Sequence, residues 1–240
     1  MDMCSLMFPA SYPEMKECKS LLMIGGASTC KTSLLLQMAC SLSYQYCKRF
    51  NNDDCTVMFI SNYKLSTLPF HVHRMPPFNS TSAKNISVQY LETYSDLIAH
   101  LANLFSHASK VTGIIIDGID AYLKTIDEKK DGTYKDCLTK LFGLLVDIGG
   151  HYSSREETFE IGDTCPVMCS FDCEIENVNE RTLVNSLGLH FFDQIVNIEP
   201  CNIFGSKEGF KMIDTSENGI YYFVEDGQIY LHRITKKINE

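Results

Sequence analysis

The chain has 240 residues, 45% of them hydrophobic and 21% charged, and a formal net charge of −9. That length suits one α/β domain with a substantial core, and the composition excludes wholesale disorder. The acidic balance argues against strong autonomous nucleic-acid binding, which needs clustered Lys and Arg, and no apolar run is long enough to span a bilayer.

The N-terminus lacks a basic segment followed by a long apolar one, so an intracellular protein with reduced thiols is expected. Eleven cysteines are scattered along the chain. Cys165, Cys169 and Cys173 recur every four residues, unlike the C-x2-C pairs of zinc ribbons, and His71 and His73 have no such pair nearby. Buried thiols are therefore expected rather than a metal centre.

Residues 1–19, with Pro9 and Pro13, read as an N-terminal arm, and residues 20–240 as a single domain. Leu21–Ile24 is a short buried strand. It leads into Gly25-Gly26-Ala27-Ser28-Thr29-Cys30-Lys31-Thr32-Ser33. A phosphate-binding P-loop has the form G-x-x-x-x-G-K-S/T, and here Cys30 replaces the second glycine. In such a loop, successive backbone N–H groups and the N-terminal end of the next helix face a phosphate. Residues 25–33 are therefore the candidate cofactor-binding segment. Lys31 would reach the β- and γ-phosphates of ATP, and the Thr32 hydroxyl would ligate Mg2+. A side chain at position 30 resists the conformation that glycine supplies there, at a cost in affinity or turnover.

Thr32 to about Lys48 reads as the helix behind the loop, and Cys55–Ile60 as a second buried strand. Residues 64–85, with three prolines, form an irregular connection. Ile86–Tyr90 is a strand, followed by a helix capped at Ser95 or Asp96 with an apolar face through Ala108. Phe105-Ser-His-Ala108 also matches a Phe-x-x-Ala recombinase contact, although its two apolar residues lie on that core face.

Val111–Ile116 is the most apolar strand and ends at Asp117, the form of a Walker B strand whose carboxylate holds Mg2+ beside the loop. Asp120, three residues on, is a second catalytic candidate or a helix cap, and Asp172 is a nucleotide-sensing group or an ordinary loop residue. Phe59-Ile-Ser61-Asn62-Tyr63 offers no carboxylate where RecA-type ATPases place the glutamate that polarises water. Weak or absent hydrolysis is expected. A helix from Tyr134 is expected to end at Gly149-Gly150, followed by a surface loop over 152–164, a strand over 165–171 and a short helix over 183–187. Strands at 191–198, 210–214, 219–225 and 228–234 then follow without helices, with Asp226-Gly227 as a hairpin turn. The pattern predicts an α/β fold: a mostly parallel sheet flanked by helices and extended by C-terminal antiparallel strands.

The near-P-loop, Phe59–Pro69, Ile86–Tyr90, the string Ile114-Ile-Ile-Asp117-Gly-Ile-Asp120-Ala-Tyr-Leu123 and the ending Gly219–Tyr230 resemble one family. They are similar to the small RecA-like recombinase paralogues of the animal Shu complex, the SWIM-type zinc-finger-associated proteins. The resemblance implies a RecA-like P-loop NTPase core, a nuclear location and a heterodimer with a SWIM-type zinc-finger protein. It further implies support of recombinase filaments on single-stranded DNA in homologous recombination, with DNA contacted through the complex. It carries Gly25, Lys31 and Thr32 over as phosphate and Mg2+ contacts and Asp117 as the Walker B acid. The alternative is an independent P-loop ATPase or a kinase outside DNA repair. Few, scattered arginines disfavour the kinase.

Overall fold

A computed structural model of the chain describes residues 6–9, 18–50, 55–65, 68–106, 110–154, 165–203 and 207–236. Its centre is a ten-stranded sheet in the order β3-β10-β9-β8-β7-β1-β6-β5-β2-β4. The strands are β1 (Ser20–Gly25), β2 (Cys55–Ser61), β3 (His71–Val72), β4 (Ile86–Tyr90), β5 (Lys110–Asp117), β6 (Val167–Asp172), β7 (Gln194–Ile203), β8 (Lys207–Asp214), β9 (Gly219–Glu225) and β10 (Gln228–Thr235). The helices are α1 (Lys31–Phe50), α2 (Ser80–Ala83), α3 (Tyr94–Leu104), α4 (Ile119–Leu123), α5 (Glu128–Asp131), α6 (Tyr134–Ser154) and α7 (Val178–Phe191).

From β7 through β1, β6, β5 and β2 to β4, every pairing is parallel. These central strands read as continuous apolar runs because helices cover both faces. On one face α3, α6 and α7 bury Leu97, Leu101, Leu138, Phe142, Leu145 and Val184 against Ile114, Ile116 and Val167. On the other, α1 buries Leu34, Leu35, Met38 and Leu42 against Leu21, Phe59 and Ile115. Leu6, Met7 and Phe8 of the N-terminal segment join this second cluster, and the Leu6 carbonyl accepts a hydrogen bond from Ser41 Oγ at 2.9 Å.

Beyond β7 the sheet turns antiparallel through β8, β9 and β10. Asp226 and Gly227 both have positive φ, 49° and 71°, as a tight hairpin turn requires. The connection over 64–85 is less irregular than its prolines indicate. His71–Val72 pairs with the outer edge of β10, and the His73 amide donates to the Ile229 carbonyl at 2.8 Å.

Several boundaries depart from the expectations. α6 runs through Gly149-Gly150 to Ser154. Gly149 lies against the sheet, where an added Cβ would meet Val167 Cγ2 at 2.7 Å, so this glycine permits close packing and does not end the helix. α7 is fourteen residues long, and β7 begins later than expected and continues past Pro200. Phe191 and Phe192, aromatic residues of strand-like composition, instead close the helix end and pack edge-on to Phe142. Thr93, rather than Ser95 or Asp96, caps α3, accepting from the Asp96 amide at 3.1 Å. His107 and Ala108 of the Phe-x-x-Ala string, most of the 152–164 loop and much of the 1–19 arm lie outside the described residues. Phe105 packs against His151 with ring centroids 5.1 Å apart.

Candidate functional site

Strand register assembles the site. Gly25 at the end of β1 pairs with Asp172 at the end of β6, and Ser61 at the end of β2 pairs with Asp117 at the end of β5. These ends form the C-terminal edge of the parallel sheet, where open α/β folds place their ligands. The 25–32 segment links β1 to α1, so the helix N-terminus opens onto the same edge. Within the loop, the Thr29 amide and hydroxyl both donate to the Gly26 carbonyl, at 3.2 and 2.8 Å. Cys30 has φ of 60°, the left-handed region that a Cβ makes costly by about 1–2 kcal/mol. The position that normally carries glycine thus keeps a glycine conformation with a cysteine in it.

Lys31 is buried, and its ammonium is fully engaged. Nζ donates to the carbonyls of Gly25 and Gly26 at 2.8 and 2.6 Å and to Thr29 Oγ1 at 3.0 Å. It also pairs with Asp172 Oδ1 at 2.8 Å. Burial holds the Asp172 carboxyl above the usual aspartate range, although the Lys31 ammonium pulls the other way. Asp120 is engaged by other partners. Its Oδ1 accepts from the Asp172 amide at 2.9 Å and its Oδ2 pairs with Lys124 at 2.8 Å, so it positions the end of β6.

Asp117 is the second focus. Its Oδ1 accepts from Ser170 Oγ at 2.7 Å, and its Oδ2 accepts from Thr32 Oγ1 at 2.8 Å and from the Tyr63 hydroxyl. Ser170 in turn accepts from the Gly118 amide at 2.8 Å. Burial, reinforced by the charge of Asp117 and the hydrogen bond to it, pushes the Tyr63 phenol well up. Tyr63 therefore remains a protonated donor at neutral pH. As a protonated phenol it cannot act as a general base.

Two further residues complete the loop's surroundings. Tyr222 on β9, fully buried against Phe8 and Phe210, donates its hydroxyl to the Thr29 carbonyl at 2.7 Å. Glu174, just past β6, accepts from the Ala27 amide at 3.3 Å. A cavity of about 640 Å3 opens beside Ser28 and Cys30, walled by Phe70, Pro200, Cys201 and Phe210. Ser33 Oγ accepts from the Phe70 amide at 3.0 Å, which ties that wall to α1.

The structure thus brings together residues 25–33 and Asp117 of the expected set and engages Asp120 behind them. Tyr63, Ser170, Glu174 and Tyr222 were not expected. Tyr63 lies in the 59–63 segment, just past β2, where its hydroxyl is a local polar signal. Tyr222 is 193 residues from its partner, and no local pattern indicates it. Cys169 within β6 and Cys165 and Cys173 on either side of it are buried, and burial raises the pKa of Cys169 and Cys173. Among the described residues, no group of three or more His, Cys, Asp or Glu side chains is arranged to hold a metal ion. No helix among them is long and apolar enough to cross a membrane.

No protein-family model and no curated protein matches the chain. Its three-dimensional form is similar to that of a KaiC-like protein from the hyperthermophilic archaeon Pyrococcus horikoshii OT3. The TM-score is 0.55 at 10% sequence identity, over 90% of this chain and 89% of that one. At that identity the likeness speaks for architecture alone: the chain has a RecA-like fold of the KaiC type, with parallel core strands flanked by helices and antiparallel C-terminal strands.

Proposed function

We propose that this chain is a RecA-like adaptor subunit that binds ATP with Mg2+ and turns it over slowly or not at all. The observation that carries this reading is the convergence of the 25–32 loop, Lys31, Thr32 and Asp117 at one sheet edge. The residues fit the ligand. Thr32 Oγ1 and the Asp117 carboxylate, 2.8 Å apart, are the hard oxygen donors that Mg2+ takes. Lys31 and the helix N-terminus supply positive charge for phosphates, and the cavity beside Cys30 is large enough for a nucleoside.

Thr32 and Asp117 would hold the magnesium, which would supply neutralisation of phosphate charge. The chain's own residues bind and orient. Lys31 holds phosphate, Asp117 fixes the Thr32 hydroxyl, and Ser170 fixes Asp117. The weak-turnover half rests on Tyr63 and Cys30. The first offers a phenol in place of a basic carboxylate, and the second strains the loop. A bound nucleotide still stabilises the fold, by about 2.7 kcal/mol at a hundredfold excess over Kd.

The cellular role follows from the sequence resemblance described above. In this reading the chain forms a heterodimer with a SWIM-type zinc-finger protein in the nucleus. The pair supports recombinase filaments on single-stranded DNA during homologous recombination, which suits a subunit with net charge −9 that meets DNA through its complex. Affinity purification of the full chain from its native cells tests both parts. The expected result is a co-purifying SWIM-type protein and a stoichiometric adenine nucleotide. An unrelated set of partners refutes the recombination role, and nucleotide-free complex refutes the ligand.

A further inference from the structure

The segment Asp172-Cys173-Glu174 sits on the phosphate loop as a ligand would. The Cys173 amide donates to the Gly25 carbonyl at 3.0 Å, which continues the β1–β6 ladder one residue past the strand and fixes the segment against the loop. Asp172 Oδ1 then takes the Lys31 ammonium at 2.8 Å. Glu174 turns back over the loop, so that Oε1 accepts from the Ala27 amide at 3.3 Å. Its Oε2 lies 2.7 Å from the point where a Cβ on Gly26 would stand. Gly26 is thus the cradle that admits this carboxylate.

We propose that Asp172 and Glu174 form an internal phosphate mimic that closes the nucleotide site until a polyphosphate displaces them. The proposal rests on the nucleotide-binding reading above and adds its regulation. A carboxylate and a phosphate satisfy the same donors, so the two compete for the Ala27 amide and for Lys31. While the mimic is seated, the loop keeps a ligand-ready shape and its buried lysine stays paired. Entry of a nucleotide requires Glu174 to swing away and Asp172 to yield part of its hold on Lys31. Glu174 is exposed and leaves at small cost, which makes the closure reversible. Apparent affinity is lowered by the fraction of molecules whose site is closed.

The test compares full-length wild type with Glu174→Ala, Glu174→Gln and Glu176→Ala, the last removing an exposed acid from the same turn. Amide hydrogen exchange over residues 25–29 is followed without nucleotide, and titration calorimetry measures ATP and inorganic tripolyphosphate. Glu174→Ala is expected to lose protection at Ala27 and to bind both ligands on the order of tenfold more tightly. Glu174→Gln, which keeps an acceptor oxygen without the charge, falls between, and Glu176→Ala stays near wild type. Unchanged protection and affinity in Glu174→Ala overturn the mimic and leave nucleotide binding standing. Equal gains from Glu174→Ala and Glu176→Ala also overturn it, because net charge then explains the effect. If no protein binds either ligand, the nucleotide reading fails and the displacement with it.

Discussion

Replacing Tyr222 by Phe removes one oxygen atom and isolates the tether between the C-terminal strands and the phosphate loop. The ring keeps its contacts with Phe8 and Phe210, centroids 5.7 and 5.3 Å away, so no sizeable cavity opens. What disappears is the 2.7 Å hydrogen bond to the Thr29 carbonyl, in a setting where Thr29 and Tyr222 are both buried. Leaving a buried acceptor without that donor costs about 1–3 kcal/mol. With a urea dependence of about 3 kcal/mol per molar, the unfolding midpoint falls by roughly 0.3–1 M. Urea titration followed by circular dichroism measures the shift. Hydrogen exchange over residues 28–30 should rise at the same time, since the loop has lost its anchor to β9. An unchanged midpoint together with unchanged exchange refutes the tether.

Cys30→Gly relieves a left-handed backbone and should raise stability by up to about 1 kcal/mol in urea titration, the unfolded-state freedom of glycine offsetting part of the 1–2 kcal/mol strain. Phosphate release should nevertheless stay at background in that variant, because Tyr63 still supplies no base; robust turnover would show that the strained loop alone was limiting. Gly149→Ala should lower the melting temperature. Its gain in helix propensity, about 1 kcal/mol, is outweighed by about 1–3 kcal/mol of overpacking against Val167, and a raised melting temperature would reverse that order. Asp172 gives a pH signature. Its folded pKa is raised by burial, so the folded state holds the proton more tightly than the unfolded one. Its contribution is fully present below the unfolded aspartate pKa and is lost as pH rises through the folded value. Stability of Asp172→Asn should therefore decline less steeply than wild type over that window in pH-dependent urea titrations, and parallel curves would contradict the assignment.

Much of the fold was legible because its signals are local. Leu21–Gly25 and Gly113–Asp117 are apolar runs with punctuated ends, and Asp226-Gly227 declares its turn through residues that tolerate positive φ. The P-loop spacing gave the loop and the helix behind it, and the strained φ at Cys30 is the conformation that the missing glycine foretold. Failures came where tertiary packing overrides a local rule. Gly149 reads as a stop signal in isolation but serves as a contact surface for Val167. Phe191 and Phe192 have strand composition yet close α7 because Phe142 receives them. Spacing placed Asp117 and Lys31 at the one sheet edge where the structure has them. The contacts of Asp120 were not legible from its proximity in sequence, since α4 turns its carboxylate toward Lys124 and the Asp172 amide. Glu174 and Tyr222 reach the loop only through sheet register, which no single segment encodes.

Nucleotide binding by the loop through Lys31 underlies both proposals. Titration calorimetry of the full chain with ATP and Mg2+ up to millimolar concentration, beside Lys31→Met checked for native circular dichroism, tests that directly. The prediction is one site per chain in the wild type, with heat abolished in a folded Lys31→Met protein. Absence of binding in the wild type, or equal binding by the methionine variant, would contradict it.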